Sequence, residues 1–273
     1  MNFKKITFIG GGNMAQSLIN GIIKANYPKD LITVCTPHEE KVSSLINKFQ
    51  ICGTTNNTQG IKESEVIVLA VKQQMALEAL KEAKEEIKDF SDKLVISVMA
   101  GITVNRIKEL LPNVKRVVRV MPNTPCLIGY GFSGAFKEGL NQEEETYAQD
   151  LLSSCGKVLW VNTEEKIDEI TALSGSAPAY FFLFLECMQN KAKEYGFSDE
   201  DARLILENVA LGASMMVLKN QDKSLGELRQ AVTSKGGTTA KALDEFNKAD
   251  LNKIVSLALD ACKNRAIEMA KQF

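Results

Sequence analysis

The chain opens on Ile6-Thr-Phe-Ile-Gly10-Gly-Gly12-Asn-Met-Ala15 and runs on through Leu18, Ile19, Ile22 and Ile23 at helical spacing. No other feature narrows the fold as much. A short apolar strand, a G-x-G-x-x-A turn and an amphipathic helix begin a βαβ unit. The first glycine makes the tight turn, the second lets backbone approach a pyrophosphate, and Ala15 keeps helix and strand close while the helix N-terminus faces the phosphates. From Lys5 to roughly Val161 the pattern repeats. Apolar runs at Ile6–Ile9, Leu31–Val34, Val66–Val71, Leu94–Val98, Val117–Met121 and Val158–Val161 alternate with helix-period segments. Near-continuous apolar strands between helices predict a parallel sheet covered on both faces. The N-terminal half is therefore read as α/β, a doubly wound Rossmann-type NAD(P)-binding domain over residues 1–163.

After Thr163 the strand signal stops. Helices are predicted at Ala177–Tyr195, Asp199–Leu218, Leu225–Val232, Ala240–Phe246 and Leu251–Ala270, giving an all-α C-terminal domain over residues 164–273. Ser198 followed by Asp199, Glu200 and Asp201 reads as a capped helix start. The acidic run Glu143-Glu144-Glu145 reads as a solvated first helical turn. The stretch Ala177–Met188 is apolar on every side, with Phe181, Phe182, Leu183, Phe184 and Leu185 in succession, so it must be buried all round. A small helical domain cannot cover it alone, which predicts a homodimer built on this half.

Composition excludes other classes. The formal net charge of −1 leaves no strongly basic surface for nucleic acid. The longest greasy run, Tyr180–Leu185, is too short to span a bilayer. The six cysteines form no CxxC pair, so neither a metal site nor a redox motif is expected, and free thiols in a reducing cytoplasm are. The glycine turn follows the first residues too closely to leave room for a signal peptide.

The second strand ends Val34-Cys35-Thr36-Pro37-His38, with no acid before Glu39. NAD-preferring sites place a carboxylate there for the ribose hydroxyls; its absence favours NADP(H), with NAD(H) still admissible, and Thr36 could bind the 2′-phosphate. His38 is the one histidine, and this places it at the adenosine end, away from any nicotinamide. A His-carboxylate dehydrogenase is thereby excluded. None of the five tyrosines has a lysine four residues on, and Ser174-Gly-Ser-Ala-Pro-Ala-Tyr180 contains no lysine, so two further dehydrogenase chemistries lack their acid. What survives is an electrophile that needs little acid assistance, such as a protonated cyclic imine held against the cofactor.

The sequence resembles the pyrroline-5-carboxylate reductase family over nearly its whole length. The resemblance rests on Ile9-Gly-Gly-Gly-Asn-Met-Ala15, Ala70-Val71-Lys72, Met99-Ala100-Gly101-Ile102, Arg119-Val-Met-Pro-Asn123-Thr-Pro125, Ala172-Leu-Ser-Gly-Ser-Ala-Pro-Ala-Tyr180 and Thr233-Ser-Lys-Gly236-Gly-Thr-Thr239. It implies reduction of L-pyrroline-5-carboxylate to L-proline, the last step of proline biosynthesis. Carried over, it implies that Gly10, Gly11, Gly12, Asn13 and Met14 hold the pyrophosphate and that Thr36 and Asn56 hold the adenosine ribose or its phosphate. Ala70, Val71, Lys72, Ala100 and Gly101 would border the cofactor, with Met121 and Asn123 nearer the nicotinamide. Backbone amides of Gly236, Gly237 and Thr238 would take the substrate carboxylate, and Thr239 would donate to the ring nitrogen as the catalytic residue. It also implies a homodimer, with assembly into a larger ring such as a decamer as its extension. The chain departs from the family's usual residues at Gln73, Ala177 and Lys235. Two alternatives stand beside this reading: a reductase of another small imine or keto acid, and a non-catalytic NADP-binding paralogue.

Overall fold

The structure, a computed structural model, describes residues 2–272. Its sheet contains eight strands: β1 (Ile6–Ile9), β2 (Ile32–Cys35), β3 (Cys52–Thr54), β4 (Val66–Leu69), β5 (Leu94–Ser97), β6 (Arg116–Met121), β7 (Gly131–Glu138) and β8 (Gly156–Trp160). They lie in the order β3-β2-β1-β4-β5-β6-β7-β8. β1 sits flush between two parallel neighbours, Ile6 opposite both Ile32 and Val66. Because both faces are covered, all four residues of β1, β4 and β5 are buried, and these strands read as near-continuous apolar runs, broken only by Thr7 and Ser97, rather than alternating ones.

The helices that cover the sheet are α1 (Asn13–Lys24), α2 (Glu39–Phe49), α3 (Asn57–Lys62), α4 (Ala76–Glu86), α5 (Val104–Leu110) and α6 (Gln142–Ser153). One core packs Ile6, Phe8, Val66 and Val68 against α1, α2 and α6 through Leu18, Ile22, Leu45 and Leu151. The other packs Ile67, Leu69 and Val95 against α3, α4 and α5 through Ile61, Leu80 and Ile107. The chain builds outward from β1 to β3 and then returns to place β4 on the other side of β1. That reversal opens a crevice at the carboxyl ends of β1 and β4, where α/β sheets bind ligands.

Helices follow: α7 (Lys166–Ile170), α8 (Ala177–Glu194), α9 (Asp199–Lys219), α10 (Leu225–Ala231), α11 (Thr238–Lys248) and α12 (Leu251–Gln272). By packing, one compact unit extends to Pro178 and regains the chain at Ala261, inside α12; the other is Ala179–Asp260.

Three expectations are corrected. β3 and β7 were not expected, and β7 runs antiparallel to β6, so the sheet is mixed at that edge. Glu144 is not solvated. It is buried, closes a capping box with Asn141 at the start of α6 and pairs with Arg116 at 2.7 Å, so a run of acids hides one that must be partnered. Finally, the helical run Lys166–Glu194 is, by length and composition, long and apolar enough to cross a membrane, which the six residues 180–185 alone are not.

Candidate functional site

The turn after β1 is stitched to both neighbouring strands. Gly10 N–H donates to the Cys35 carbonyl at 2.9 Å, and Ala70 N–H donates to the Ile9 carbonyl at 2.9 Å. Gly10 lies at φ +103°, and a Cβ there would sit 2.7 Å from the Ala70 oxygen. Gly12 differs: its φ is −73°, and a Cβ there would have no neighbour within 4 Å. It begins α1 with no side-chain cap and no acid in the first turn. The first amides of α1, on Asn13 and Met14, thus meet an open cradle without a resident carboxylate, which suits an anion.

Thr36 lies beside this cradle. Its side chain is 3% exposed, and its hydroxyl has no hydrogen-bond partner. A buried unpaired hydroxyl costs about 1–3 kcal/mol, a cost that a ligand hydrogen-bonded to it would relieve. The cradle that a Cβ would fill and the orphaned hydroxyl together fit a dinucleotide. Asn56, on the turn after β3, is exposed and uses its Oδ1 to cap α3 by accepting from Gln59 N–H at 2.8 Å. His38 is exposed at the start of α2, just beyond the carboxyl end of β2. Burial pushes the Cys35 thiol up to about 12, with Glu63 adding to the shift, so it stays a neutral packing group.

Ala70 and Val71 are half-buried after β4, and Lys72 is exposed. Gly101, after β5, lies against this segment: a Cβ on it would be 2.8 Å from Gln73 Oε1 and 3.2 Å from Met269 Cβ. Ala100 beside it is exposed. Met121 ends β6 and meets Gly175, the last residue of a π-helical turn at Thr171–Gly175. Asn123 is buried with its amide engaged at both ends, Nδ2 donating to Ser174 Oγ at 3.1 Å and Oδ1 accepting from Phe132 N–H at 2.9 Å. The candidates Gly10–Met14, Thr36, Ala70–Lys72, Ala100, Gly101, Met121 and Asn123 therefore follow the carboxyl ends of five adjacent strands.

An ion cluster centred on a buried arginine next to this row is absent from the expected site. Arg119, in the middle of β6, pairs with Glu164 at 3.0 Å and Asp168 at 2.9 Å. The signal available in the sequence was a charge inside the apolar run Val117–Met121.

In the second unit, Gly236, at φ +74°, leads into Gly237, which begins α11. Gly237 N–H donates to the Ser234 carbonyl at 3.0 Å, and a Cβ on it would lie 2.3 Å from Ser234 Oγ. Like α1, α11 starts from glycine with no side-chain cap and no acid in its first turn. The neighbouring α9 and α10 instead use Ser198 and Ser224 as caps. Thr238 and Thr239 are exposed in that open first turn, and Lys235 is exposed just before it. α8 has no buried residue: Phe181 is 69%, Phe182 66% and Leu183 60% exposed within one chain.

Residues 164–269 match the family described as pyrroline-5-carboxylate reductase dimerisation, and residues 5–101 match NADP oxidoreductase coenzyme F420-dependent. Pyrroline-5-carboxylate reductase of Vibrio alginolyticus is 44% identical over 274 residues, covering 100% of both chains. The Pasteurella multocida enzyme of the same name is 45% identical over 277 residues, also at full coverage of both. Among solved structures, the pyrroline-5-carboxylate reductase of Coxiella burnetii superposes with a TM-score of 0.91 at 38% identity, covering 98% of this chain and 99% of that one. The Plasmodium falciparum pyrroline carboxylate reductase with NADP bound superposes at 0.86 with 29% identity, covering 99% of each.

Proposed function

The chain belongs to the pyrroline-5-carboxylate reductase family, and on that premise we propose that it reduces the C=N bond of L-pyrroline-5-carboxylate to give L-proline, the last step of proline biosynthesis. The observation that carries the reading is the pair of glycine-started helices α1 and α11. Each presents uncapped first-turn amides with no acid to compete, one set for a pyrophosphate and the other for a carboxylate. NADPH, when bound, supplies the hydride.

The protein's own residues have binding and orienting tasks. Gly10–Met14 hold the pyrophosphate, and Thr36 and Asn56 hold the adenosine ribose and its phosphate. Ala70–Lys72, Ala100 and Gly101 border the cofactor, with Met121 and Asn123 nearer the nicotinamide. Because both ends of the Asn123 amide are engaged by protein, it acts by keeping its turn rigid. Gly236, Gly237 and Thr238 take the substrate carboxylate, and Thr239 Oγ1 donates to the ring nitrogen. A protonated imine accepts hydride readily, which is why a site without a histidine suffices. The orphaned Thr36 hydroxyl and the absence of an acid at the end of β2 favour NADPH over NADH.

A second copy of the chain, rather than lipid or nucleic acid, covers α8, since the matched dimerisation region includes it. The dimer is the unit of any larger ring such as a decamer. The functional division falls at residues 163 and 164, and the protein works in the cytoplasm. The test is NADPH absorbance followed on addition of pyrroline-5-carboxylate. Turnover is expected, faster with NADPH than with NADH. NADPH binding without oxidation would instead identify a non-catalytic paralogue.

A further inference from the structure

We propose that the buried Arg119 and its half-buried partners Glu164 and Asp168 form a charge clamp that positions the nicotinamide side of the nucleotide crevice. This rests on the proposed placement of Met121 and Asn123 nearer the nicotinamide, with Ala100 and Gly101 bordering the cofactor. The Arg119 side chain is 4% exposed and lies on β6 two residues before Met121, paired in register with Ser97 at the end of β5. Its two outer nitrogens grip different partners.

Glu164 Oε1 accepts from Arg119 Nη1 at 3.0 Å and from Val104 N–H at 2.8 Å. Val104 is the first residue of α5, so one carboxylate closes that N-terminus and fixes the turn carrying Ala100 and Gly101. Asp168 Oδ1 accepts from Arg119 Nη2 at 2.9 Å. It lies on α7, which passes directly into the π-helical turn Thr171–Gly175. That turn contacts Met121 through Gly175 and Asn123 through Ser174. A single guanidinium thereby joins the loops after β5 and β6 to the turn that backs them. Its planar fork holds two acceptors at a fixed angle, which a lysine cannot do. Removing one carboxylate leaves a buried cation half-paired, so the three segments shift together.

Nucleotide binding separates positioning from mere stability, because 2′,5′-ADP engages only the adenosine side. In Glu164→Ala, the Kd for 2′,5′-ADP should stay within about twofold of the parent while that for NADPH rises about fivefold. Turnover should fall about tenfold or more, since small misplacement of reacting atoms is costly. Glu164→Gln keeps the volume and the acceptor for Val104. It should show the same split at smaller amplitude, and it decides the matter if the alanine variant does not fold. Asp168→Asn should also spare 2′,5′-ADP. Equal weakening of both nucleotides, or a lowered melting temperature with both affinities and kcat intact, overturns the clamp. A parent that binds NADPH but does not reduce pyrroline-5-carboxylate overturns the catalytic reading and leaves the binding split to be scored by itself.

Discussion

Replacing Gly12 with alanine separates what the glycine turn does for the fold from what it does for the ligand. At Gly12 the backbone has φ −73° and ψ −178°, a conformation any residue adopts, and an added Cβ would touch nothing within 4 Å. Two small effects oppose each other in the fold. Alanine restricts the unfolded chain, contributing about 0.4–1 kcal/mol of stability, and is a poorer N-cap than glycine by a comparable amount. The net change should be within about 1 kcal/mol, or roughly 2–4 °C in Tm for a chain of this size. The ligand meets a different situation, since the methyl group occupies the opening through which a pyrophosphate approaches the first amides of α1. Losing one charge-assisted hydrogen bond costs about 1.5–3 kcal/mol, which corresponds to roughly a 10- to 150-fold rise in Kd. Quenching of protein fluorescence by NADPH, together with a melting curve, reads both quantities on one sample. Gly10→Ala is the contrasting control: its φ of +103° and the 2.7 Å approach to the Ala70 oxygen predict loss of stability itself. Unchanged NADPH affinity in Gly12→Ala, or a loss of stability beyond about 2 kcal/mol, would refute the reasoning.

Thr36→Asp should reverse nucleotide preference by tenfold or more towards NADH, about 1.4 kcal/mol, and competitive titration with the two cofactors shows it; an unaltered ratio would remove Thr36 from the 2′-phosphate. Thr239→Ala should lower kcat about two- to twelvefold, the worth of a neutral hydrogen bond, without changing NADPH affinity, and Thr239→Ser should recover most of it. Full activity in the alanine variant would take Thr239 out of the mechanism. Phe182→Asp puts a charge on the apolar face of α8 and should give a monomer by light scattering at micromolar concentration; a mass equal to the parent's would mean that another face joins the subunits.

The parts of this fold that were legible in the sequence are those whose signal is local. β1, its turn and α1 declare themselves within about twenty residues because strand, glycine and amphipathic period each follow from neighbouring side chains. The all-round apolar composition of α8 likewise announced a helix that one chain leaves exposed. β7 was hidden because packing, rather than strand propensity, chose its residues. A methyl on Gly131 would lie 2.1 Å from Cys126 Sγ and one on Gly134 would lie 2.4 Å from Ile170 Cδ1, so small residues stand where β-branched ones were sought. β3 has only Cys52, Gly53 and Thr54 to speak for it. At the site, the missing acid after Val34 and the glycine start of α11 were visible. The partners of Arg119 were not, because they lie 45 and 49 residues away and nothing near the arginine encodes them.

The return of α12 to the first unit imposes an order on synthesis. Met269 and Ala270 lie against Gly101, yet the ribosome must first make residues 179–260. At elongation rates of about 5–20 residues per second this delay is roughly 4–16 s, far longer than a helix or hairpin needs to form. The nascent nucleotide-binding unit therefore has its sheet long before it has the last piece of its wall. It passes that interval with the Gly101 turn uncovered, a state in which a protease or chaperone could recognise a chain whose translation stalled before α12.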